Sequence, residues 1–132
     1  MKPDMDLVTS VIVVSHNTCD MTLQCLRSLQ PFQKIQTIVV DTGSSDGTPD
    51  ALESTSIELI RASVTTGYAA AAHLGVEHAI AENIIVCNAD TVFHDGSIEL
   101  LVDALKEQDV GVAAPRLLNT DGSLQPNWAR FP

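Results

Sequence analysis

Asn88 and Asp90 combine chemically useful side chains with an informative position, directly after an apolar run at residues 84–87. A short apolar run with polar residues on either side is typical of a strand buried on both faces, so we expect this strand in the middle of a sheet. Burying a carboxylate without a partner is too costly, so Asp90 should emerge from the core where the strand ends. There it could bind a ligand or cap a turn, and the residue alone supports both interpretations equally.

Polar side chains also follow the first two strand-like segments of the chain. Ser15, His16 and Asn17 come after the first segment, and Asp41 comes after the second. In a parallel sheet these positions would meet the end of the 84–87 strand at one edge, where open α/β sheets bind ligands. Carboxylate and amide oxygens suit a hard divalent cation and sugar hydroxyls. The same residue types also form turns and helix caps, but the convergence of three sets favours a ligand site.

The elements that would carry these residues alternate between strand and helix through nearly the whole chain. This alternation predicts an α/β fold, a mostly parallel sheet with helices on both faces. A hairpin is predicted at residues 116–125 because Asp121-Gly122 is a strong turn signal. The predicted strands are residues 8–14, 35–40, 57–60, 84–87 and 110–114. The first predicted helix runs from a cap at Asn17 or Thr18 to Pro31, and the next two span residues 48–54 and 68–81. A fourth helix is predicted to begin at Asp95 and Gly96.

The length and composition indicate one globular domain over residues 1–132 and exclude several classes of partner. The chain has 132 residues, of which 45% are hydrophobic, and a net charge of −10 from 7 basic and 17 acidic residues. This acidic balance argues against nucleic acid and against an anionic membrane surface, both of which need clustered cations. An anionic small ligand would need a divalent cation to bridge it to the protein.

The three cysteines predict neither a disulfide framework nor a zinc site. The number of cysteines is odd, and no two of them form a CxxC motif; they are Cys19, Cys25 and Cys87. We therefore expect free thiols in a reducing cytosol. The polar, acidic residues 1–6 do not resemble a signal peptide, and no apolar run is long enough for a transmembrane segment. We therefore expect a cytoplasmic protein.

Other ligand-binding α/β classes lack their signatures here. No glycine-rich fingerprint follows the first strand, and neither a P-loop nor a GxSxG elbow occurs. Residues 88–92 superficially match the DxDx[TV] motif of haloacid-dehalogenase phosphatases. Asn88 would then stand in place of the nucleophilic aspartate, and that motif ends an early strand, so we reject this interpretation.

Several motifs in order give the chain a family resemblance. It resembles the nucleotide-sugar-binding part of a GT-A glycosyltransferase of family 2, of the rhamnosyltransferase-like kind, with the acceptor half absent. The resemblance covers nearly the full chain, and the second and fourth motifs are the specific ones. The matching segments are residues 11–17, 40–47, 67–69, 88–91, 111–117 and 121–125.

The resemblance implies a donor site for a nucleoside-diphosphate sugar, a UDP- or dTDP-sugar, and inverting transfer in the complete enzyme. Asp41 would hydrogen-bond the base, and the loop Ser15-His16-Asn17 would line the base and ribose. Asn88 and Asp90 stand at the family's DxD-type motif, where Asp90 would ligate Mg²⁺ or Mn²⁺ bridging the diphosphate. Such a metal also stabilises the departing nucleotide as a Lewis acid.

Other motif residues are expected to be structural. We predict that Asp46 caps the short helix after it and shapes the turn. The family often has Asn near Thr65 and near His73, and both are absent here. We therefore expect His73 to be a packed or surface residue of its helix.

The catalytic residues are unknown from this sequence. In the family, the acceptor site and the carboxylate general base lie beyond residue 132, and we identify no base within the chain unless Asp95 or Asp121 serves. An alternative hypothesis is a non-catalytic nucleotide-sugar-binding or assembly module that needs a partner chain. In the isolated chain, under either hypothesis, apolar surface near Trp128 and Phe131 would favour self-association, most simply as a homodimer.

Overall fold

A computed structural model of the protein describes residues 8–126. The chain divides into two compact units, Met1–Asp95 and Gly96–Pro132. The single domain over residues 1–132 stays a prediction, and Trp128 and Phe131 lie outside the described residues. None of the helices within residues 8–126 has both the length and the apolar character needed to cross a bilayer.

The first unit is built on a parallel sheet of four strands in the order β3-β2-β1-β4. This confirms the predicted α/β class, and the helices fall within three residues of their predicted ends. The strands are β1 Thr9–Ser15, β2 Ile35–Asp41, β3 Glu58–Arg61 and β4 Asn83–Asn88; the helices are α1 Cys19–Leu29, α2 Thr48–Glu53 and α3 Tyr68–His78.

Helix α3 covers one face of the sheet at very close range. Ile12, Ile38 and Ala71 are fully buried together between the sheet and this helix. Gly75 lies so near β1 that a Cβ atom there would sit 2.4 Å from Cγ2 of Ile12. The small residues of α3 therefore set its distance from the sheet.

Helix α1 covers the opposite face, which confirms helices on both sides of the sheet. The hydroxyl oxygens of Ser15 on β1 and Thr22 on α1 lie 2.9 Å apart and share a hydrogen bond. Side chains alternate between the two faces of a strand, so Val11 and Val13 share the face of Ser15, and both are fully buried. The first turns of α1 are thereby fixed against the end of β1.

The prediction that the 84–87 strand is central and buried on both faces is wrong. β4 pairs only with β1 among the described strands, and its residues alternate between half-buried and exposed. Ile84 and Val86, which lie on the α3 face by their pairing with Ser10 and Ile12, are 40% and 41% exposed. An apolar run reports the hydrophobicity of a segment but not what covers it, so an edge strand and a central strand can share one sequence pattern.

The second unit contains α4, Ser97–Ala104, and an antiparallel hairpin of β5, Leu117–Leu118, and β6, Leu124–Gln125. The hairpin confirms the turn prediction. The predicted strand at residues 110–114 is wrong, because this segment forms no ladder and Val112 is 87% exposed. Glycine and two alanines within five residues give low strand propensity, and the following proline cannot donate to a ladder.

Helix α3 ends at His78 rather than near Ala81, because side chains from the sheet bind the next amides. Gln36 Oε1 accepts a hydrogen bond from the Ile80 N–H at 3.0 Å, and Ser10 Oγ accepts one from the Ala81 N–H at 3.1 Å. These bonds replace the helical ones and direct the chain into β4.

Candidate functional site

The polar residues predicted to converge lie at one edge of the sheet, at the carboxyl ends of β1, β2 and β4. The strand register puts Asp41 beside Ser15, and Asn88 beside Val14. Neighbouring strands are about 4.8 Å apart, so the backbones of Asp41 and Asn88 lie within roughly 10 Å of one another. The edge therefore carries the residues that the sequence singled out, but their side chains differ in what they bind.

Ser15 turns its hydroxyl into the protein rather than toward the edge. It is 1% exposed, and its oxygen shares hydrogen bonds with Thr22 at 2.9 Å and Thr18 at 3.3 Å. Its carbonyl accepts hydrogen bonds from the N–H and the hydroxyl of Thr42, at 2.9 and 3.2 Å. Ser15 thus joins β1, α1 and the loop after β2, and its hydroxyl has internal partners.

His16 and Asn17 connect the loop after β1 to the loop after β2. Asn17 has a positive φ of 49°; its N–H donates to Ser44 Oγ and its Oδ1 accepts from the Ser45 N–H, both at 2.8 Å. His16 Nδ1 donates to the Thr42 carbonyl at 2.8 Å, and His16 Nε2 lies 3.3 Å from Asn17 Nδ2. His16 itself is exposed.

Asp41 is buried, and Ser44 binds both of its carboxylate oxygens. Asp41 is 2% exposed; Oδ2 accepts the Ser44 N–H at 2.9 Å, and Oδ1 accepts a short hydrogen bond from the Ser44 hydroxyl. A carboxylate has about four acceptor positions, so Asp41 retains capacity for a further donor. Its partners make it a structural residue whether or not it also contacts a ligand.

Asp46 joins the first turns of two helices. Oδ1 accepts from the N–H and hydroxyl of Thr48 at 3.1 and 2.5 Å, which confirms the predicted cap of α2. Oδ2 accepts the Cys19 N–H at 2.9 Å, so Asp46 also caps α1, where the Thr18 side chain makes no capping bond. Thr18 is the N-cap residue of α1, as one of the two predicted alternatives, and its carbonyl accepts the Thr22 N–H at 2.8 Å. The Thr48 hydroxyl and the Cys19 amide lower the pKa of Asp46.

Asn88 and Asp90 differ from all of these residues. Both side chains are exposed, and neither forms a side-chain hydrogen bond or an ion pair with any residue of the described range 8–126. Ala89 between them is buried, and its N–H donates to the Val14 carbonyl at 3.2 Å, which continues the strand pairing. An amide and a carboxylate therefore project from a well-anchored backbone with their oxygens available.

Tyr68 is a residue of this region to which the sequence analysis gave no role. It opens α3 and is 50% exposed. Partial burial and the nearby Cys87 and Asp90 raise its pKa, so its hydroxyl stays protonated beside the acidic group. The signal in the sequence was its place in the Gly67-Tyr68-Ala69 motif. His73, by contrast, is a surface residue with a side chain 73% exposed, as expected.

The positive charge available at this edge is limited. Arg61 is the basic residue that ends a strand here, and its guanidinium forms an ion pair with Glu53. Among residues 8–126, no group of three His, Cys, Asp or Glu side chains is arranged to hold a metal ion. Asp90 offers one hard oxygen ligand, which suits Mg²⁺ or Mn²⁺ only if water and ligand oxygens complete the coordination.

A cavity of about 490 Å³ lies at the opposite edge of the sheet. It is lined by the end of α1, the start of β2 and the segment before β3, including Leu26, Arg27, Phe32 and Ile57. None of the predicted site residues borders it. The candidate site is therefore the open edge described above and not this cavity.

Comparison with known families gives a match over nearly the whole chain, residues 10–131, to glycosyl transferase family 2. The chain belongs to this glycosyltransferase family. The family match agrees with the mostly parallel sheet flanked by helices.

Two curated relatives of this glycosyltransferase sequence are longer proteins. It is 26% identical over 126 residues to the glycosyltransferase GlyG of Streptococcus pneumoniae serotype 4, which covers 90% of this chain and 42% of that protein. It is 29% identical over 119 residues to an N-acetylglucosaminyl-diphospho-decaprenol L-rhamnosyltransferase of Mycobacterium tuberculosis, which covers 80% of this chain and 39% of the relative. The chain thus spans about two-fifths of the length of these relatives.

Proposed function

We propose that this chain is the donor-binding part of a family 2 glycosyltransferase and binds a nucleoside-diphosphate sugar through Mg²⁺ or Mn²⁺. The observation that carries the proposal is the exposed carboxylate of Asp90, without a hydrogen-bond partner in residues 8–126, at the end of β4. Family membership supports the general reaction, which is transfer of a sugar from an activated donor.

The charge of the site favours a metal bridge to the diphosphate. The protein has a net charge of −10, and Arg61, which ends β3, is already paired with Glu53. A diphosphate next to Asp90 would be repelled unless a cation lay between them. A divalent ion held by Asp90 would supply that charge and, as a Lewis acid, would stabilise the departing nucleotide.

The loops after β1 and β2 would bind the nucleoside. His16 is exposed, and Asp41 keeps acceptor capacity for an N–H of the base. Ser15 and Asn17 would contribute by holding these loops in place, because their polar side-chain atoms already have protein partners. A UDP- or dTDP-sugar fits this assignment, since uracil and thymine each carry one ring N–H for Asp41.

The general base stays unassigned. Asp121 accepts hydrogen bonds from the hydroxyl and N–H of Ser123 at 2.6 and 2.9 Å, and these lower its pKa. A carboxylate held in its ionised form in this way is a weak proton acceptor. We therefore propose that the chain binds the donor, while inverting transfer belongs to a complete enzyme.

Calorimetric titration of the 132-residue chain with UDP, dTDP and GDP, each with and without Mn²⁺, tests this function. We expect UDP or dTDP to bind in the presence of Mn²⁺ and to bind at least about tenfold more weakly without it. The proposal would be overturned if none of the three nucleotides bound in the presence of Mn²⁺, or if their affinities were the same with and without Mn²⁺.

A transfer assay then distinguishes the donor-binding part from a complete enzyme. Incubation with a sugar nucleotide and Mn²⁺ should give at most slow release of free sugar, because water can replace the acceptor. Steady, multiple-turnover transfer to a defined sugar or lipid acceptor would contradict this expectation and would require a base within the chain.

A further inference from the structure

Tyr68 carries a hydroxyl group that the described part of the chain does not use. The residue opens α3 and is half-exposed, and its hydroxyl forms no hydrogen bond with any residue in the range 8–126. A tyrosine hydroxyl is protonated at neutral pH and can donate to an anion. Partial burial, and then the nearby Cys87 and Asp90, raise the pKa of Tyr68, so the hydroxyl stays a donor.

The direction of α3 places Tyr68 at the edge of the sheet that carries the candidate donor site. The chain that follows α3 is bonded to Ser10 at the start of β1, so the helix runs against the strand and begins toward the carboxyl edge. Gly75 lies against Ile12 in the middle of β1. Between Gly75 and Tyr68 the helix rises roughly 10 Å, and β1 also spans roughly 10 Å from Ile12 to Ser15. The start of α3 is therefore level with the end of β1.

The turn of the helix directs Tyr68 toward β4. Successive residues of an α-helix are rotated by about 100°, so Tyr68, seven residues before Gly75, lies within about 20° of the same sheet-facing side. His78 lies about 60° to the other side of Gly75, and its Nδ1 is 2.6 Å from Oε1 of Glu58 on β3. Because β4 lies on the opposite side of β1 from β2 and β3, Tyr68 is over the ends of β1 and β4.

Asn88 lies on the face of the sheet that α3 covers. Ile12 packs against α3, and side chains alternate between the faces of a strand, so Val14 also points to the α3 face. Asn88 is the register partner of Val14, so its amide is on this face, and Asp90 follows two residues later. The amide, the carboxylate and the Tyr68 hydroxyl thus border the same part of the edge, which agrees with the effect of Asp90 on the pKa of Tyr68.

We propose that Tyr68 binds the donor by donating a hydrogen bond from its hydroxyl to an oxygen of the diphosphate. This role rests on the proposed function, in which the diphosphate lies beside Asp90. With the nucleoside over the loops after β1 and β2, the diphosphate crosses the ends of β1 and β4 to reach Asp90. Tyr68 borders this path, whereas His16 and Asp41 border the nucleoside.

A neutral hydroxyl donor fits the charge of this edge. Arg61, the basic residue that ends a strand here, is paired with Glu53. Hydrogen bonds from a hydroxyl to an ionised oxygen are shorter and stronger than those between neutral groups. Tyr68 thus stabilises the diphosphate alongside the cation, and loss of its hydroxyl should weaken the binding of a nucleotide but not of the nucleoside without phosphates.

Binding of a nucleotide and of its nucleoside to the wild type and to Tyr68→Phe tests the proposal. The nucleotide is UDP or dTDP, whichever binds the wild type more tightly in Mn²⁺, and its affinity is measured by calorimetry. The nucleoside is uridine or thymidine, and its affinity is measured by displacement of that nucleotide. Because Tyr68→Phe keeps the ring, nucleotide affinity should fall by about tenfold or more while nucleoside affinity is unchanged.

Two results would overturn the role of Tyr68. A nucleotide affinity of Tyr68→Phe equal to that of the wild type would show that the hydroxyl does not contact the ligand. An equal loss of nucleotide and nucleoside affinity would indicate an effect on the base or on the fold rather than on the diphosphate. The midpoint of unfolding in urea should match the wild type, because the hydroxyl has no hydrogen bond within residues 8–126 to lose.

Control variants separate this role from the proposed function. His73→Ala changes an exposed residue on the side of α3 that faces away from the sheet, and it should bind both ligands as the wild type does. If Asp90→Asn loses the metal dependence of the wild type while Tyr68→Phe binds normally, the donor site stands and the role of Tyr68 fails. If the wild type binds neither UDP nor dTDP in Mn²⁺, both proposals fail.

Discussion

The loops after β1 and β2 differ from the loop after β4 in how their polar side chains are used. In the first two, Ser15, Asn17 and Asp41 all bind neighbouring residues through their side chains. In the third, Asn88 and Asp90 have no such partner within residues 8–126. Residues of the same chemical type therefore stabilise the edge in one region and remain available to a ligand in the other.

This difference shows that position at a sheet edge does not by itself make a residue a ligand contact. A polar group with internal partners contributes to the free energy of unfolding, and its loss leaves those partners unsatisfied. A polar group exposed without partners contributes little to stability, so its loss should be felt mainly in binding. Stability and affinity measured on the same variants can separate these two uses.

The largest effect is expected at Asp41, whose substitution should lower both the stability of the fold and the affinity for the nucleotide. Asp41→Ala leaves the Ser44 N–H and hydroxyl without their buried acceptor and should lower the free energy of unfolding in urea by about 1.5–3 kcal/mol. If Asp41 also binds the base, nucleotide affinity should fall by about one to two decades with or without metal. Unchanged affinity in a folded variant would make Asp41 purely structural.

Asp90→Asn should affect binding and leave stability intact. Loss of the charge should lower the affinity for UDP or dTDP in Mn²⁺ by about tenfold to a hundredfold, toward the metal-free value. Asp50→Asn, which neutralises another exposed carboxylate on α2, is the matched control for net charge and should bind as the wild type does. Retained metal dependence in Asp90→Asn would show that another group holds the cation.

The two amides Asn17 and Asn88 provide a direct test of the comparison. Asn17→Ala removes the bond to the Ser45 N–H and puts alanine at a positive φ, and should cost about 1–2 kcal/mol of stability. Asn88→Ala removes an exposed amide without a side-chain partner and should change stability by less than about 0.5 kcal/mol. Equal losses in the urea unfolding of the two variants would refute the distinction between the regions.

The last prediction concerns Asp46 and the pH dependence of stability in acid. Its pKa in the folded state is lowered from the ordinary 3.8, so its contribution to stability is complete above that value. The contribution is lost as the pH falls from 3.8 through the lower folded pKa, because the unfolded chain takes up the proton first. Asp46→Asn should flatten the Tm profile in this interval, and an unchanged acid slope would argue against the shift.

The sequence predicted most of the helices and strands because their patterns are local. Apolar periodicity, turn formers and the Asp121-Gly122 hairpin signal depend on residues close in the chain. The covering of β4 could not be predicted, since it depends on which strand or helix lies beside Ile84 and Val86. The false strand at residues 110–114 had the hydrophobicity of a strand but small residues and no pairing partner.

The sequence predicted which polar residues lie at the same edge of the sheet, but not which hydrogen bonds their side chains form. That Asp41, Ser15 and Asn88 would share one edge follows from the parallel sheet. That Ser44 would bind Asp41, or that Asp46 would join two helices, depends on loop geometry that no short sequence pattern fixes.

Within residues 8–126 one edge of β4 has no neighbouring strand, and this edge affects how the protein should behave in concentrated solution. A strand edge with exposed Ile84 and Val86 beside it can pair with the same edge of another copy, and Asn83–Asn88 contains neither lysine nor proline to prevent this. The net charge of −10 makes copies repel one another, but at 0.1 M salt that repulsion reaches only about 10 Å. Light scattering should therefore show a monodisperse protein at low ionic strength and growing association as salt is added.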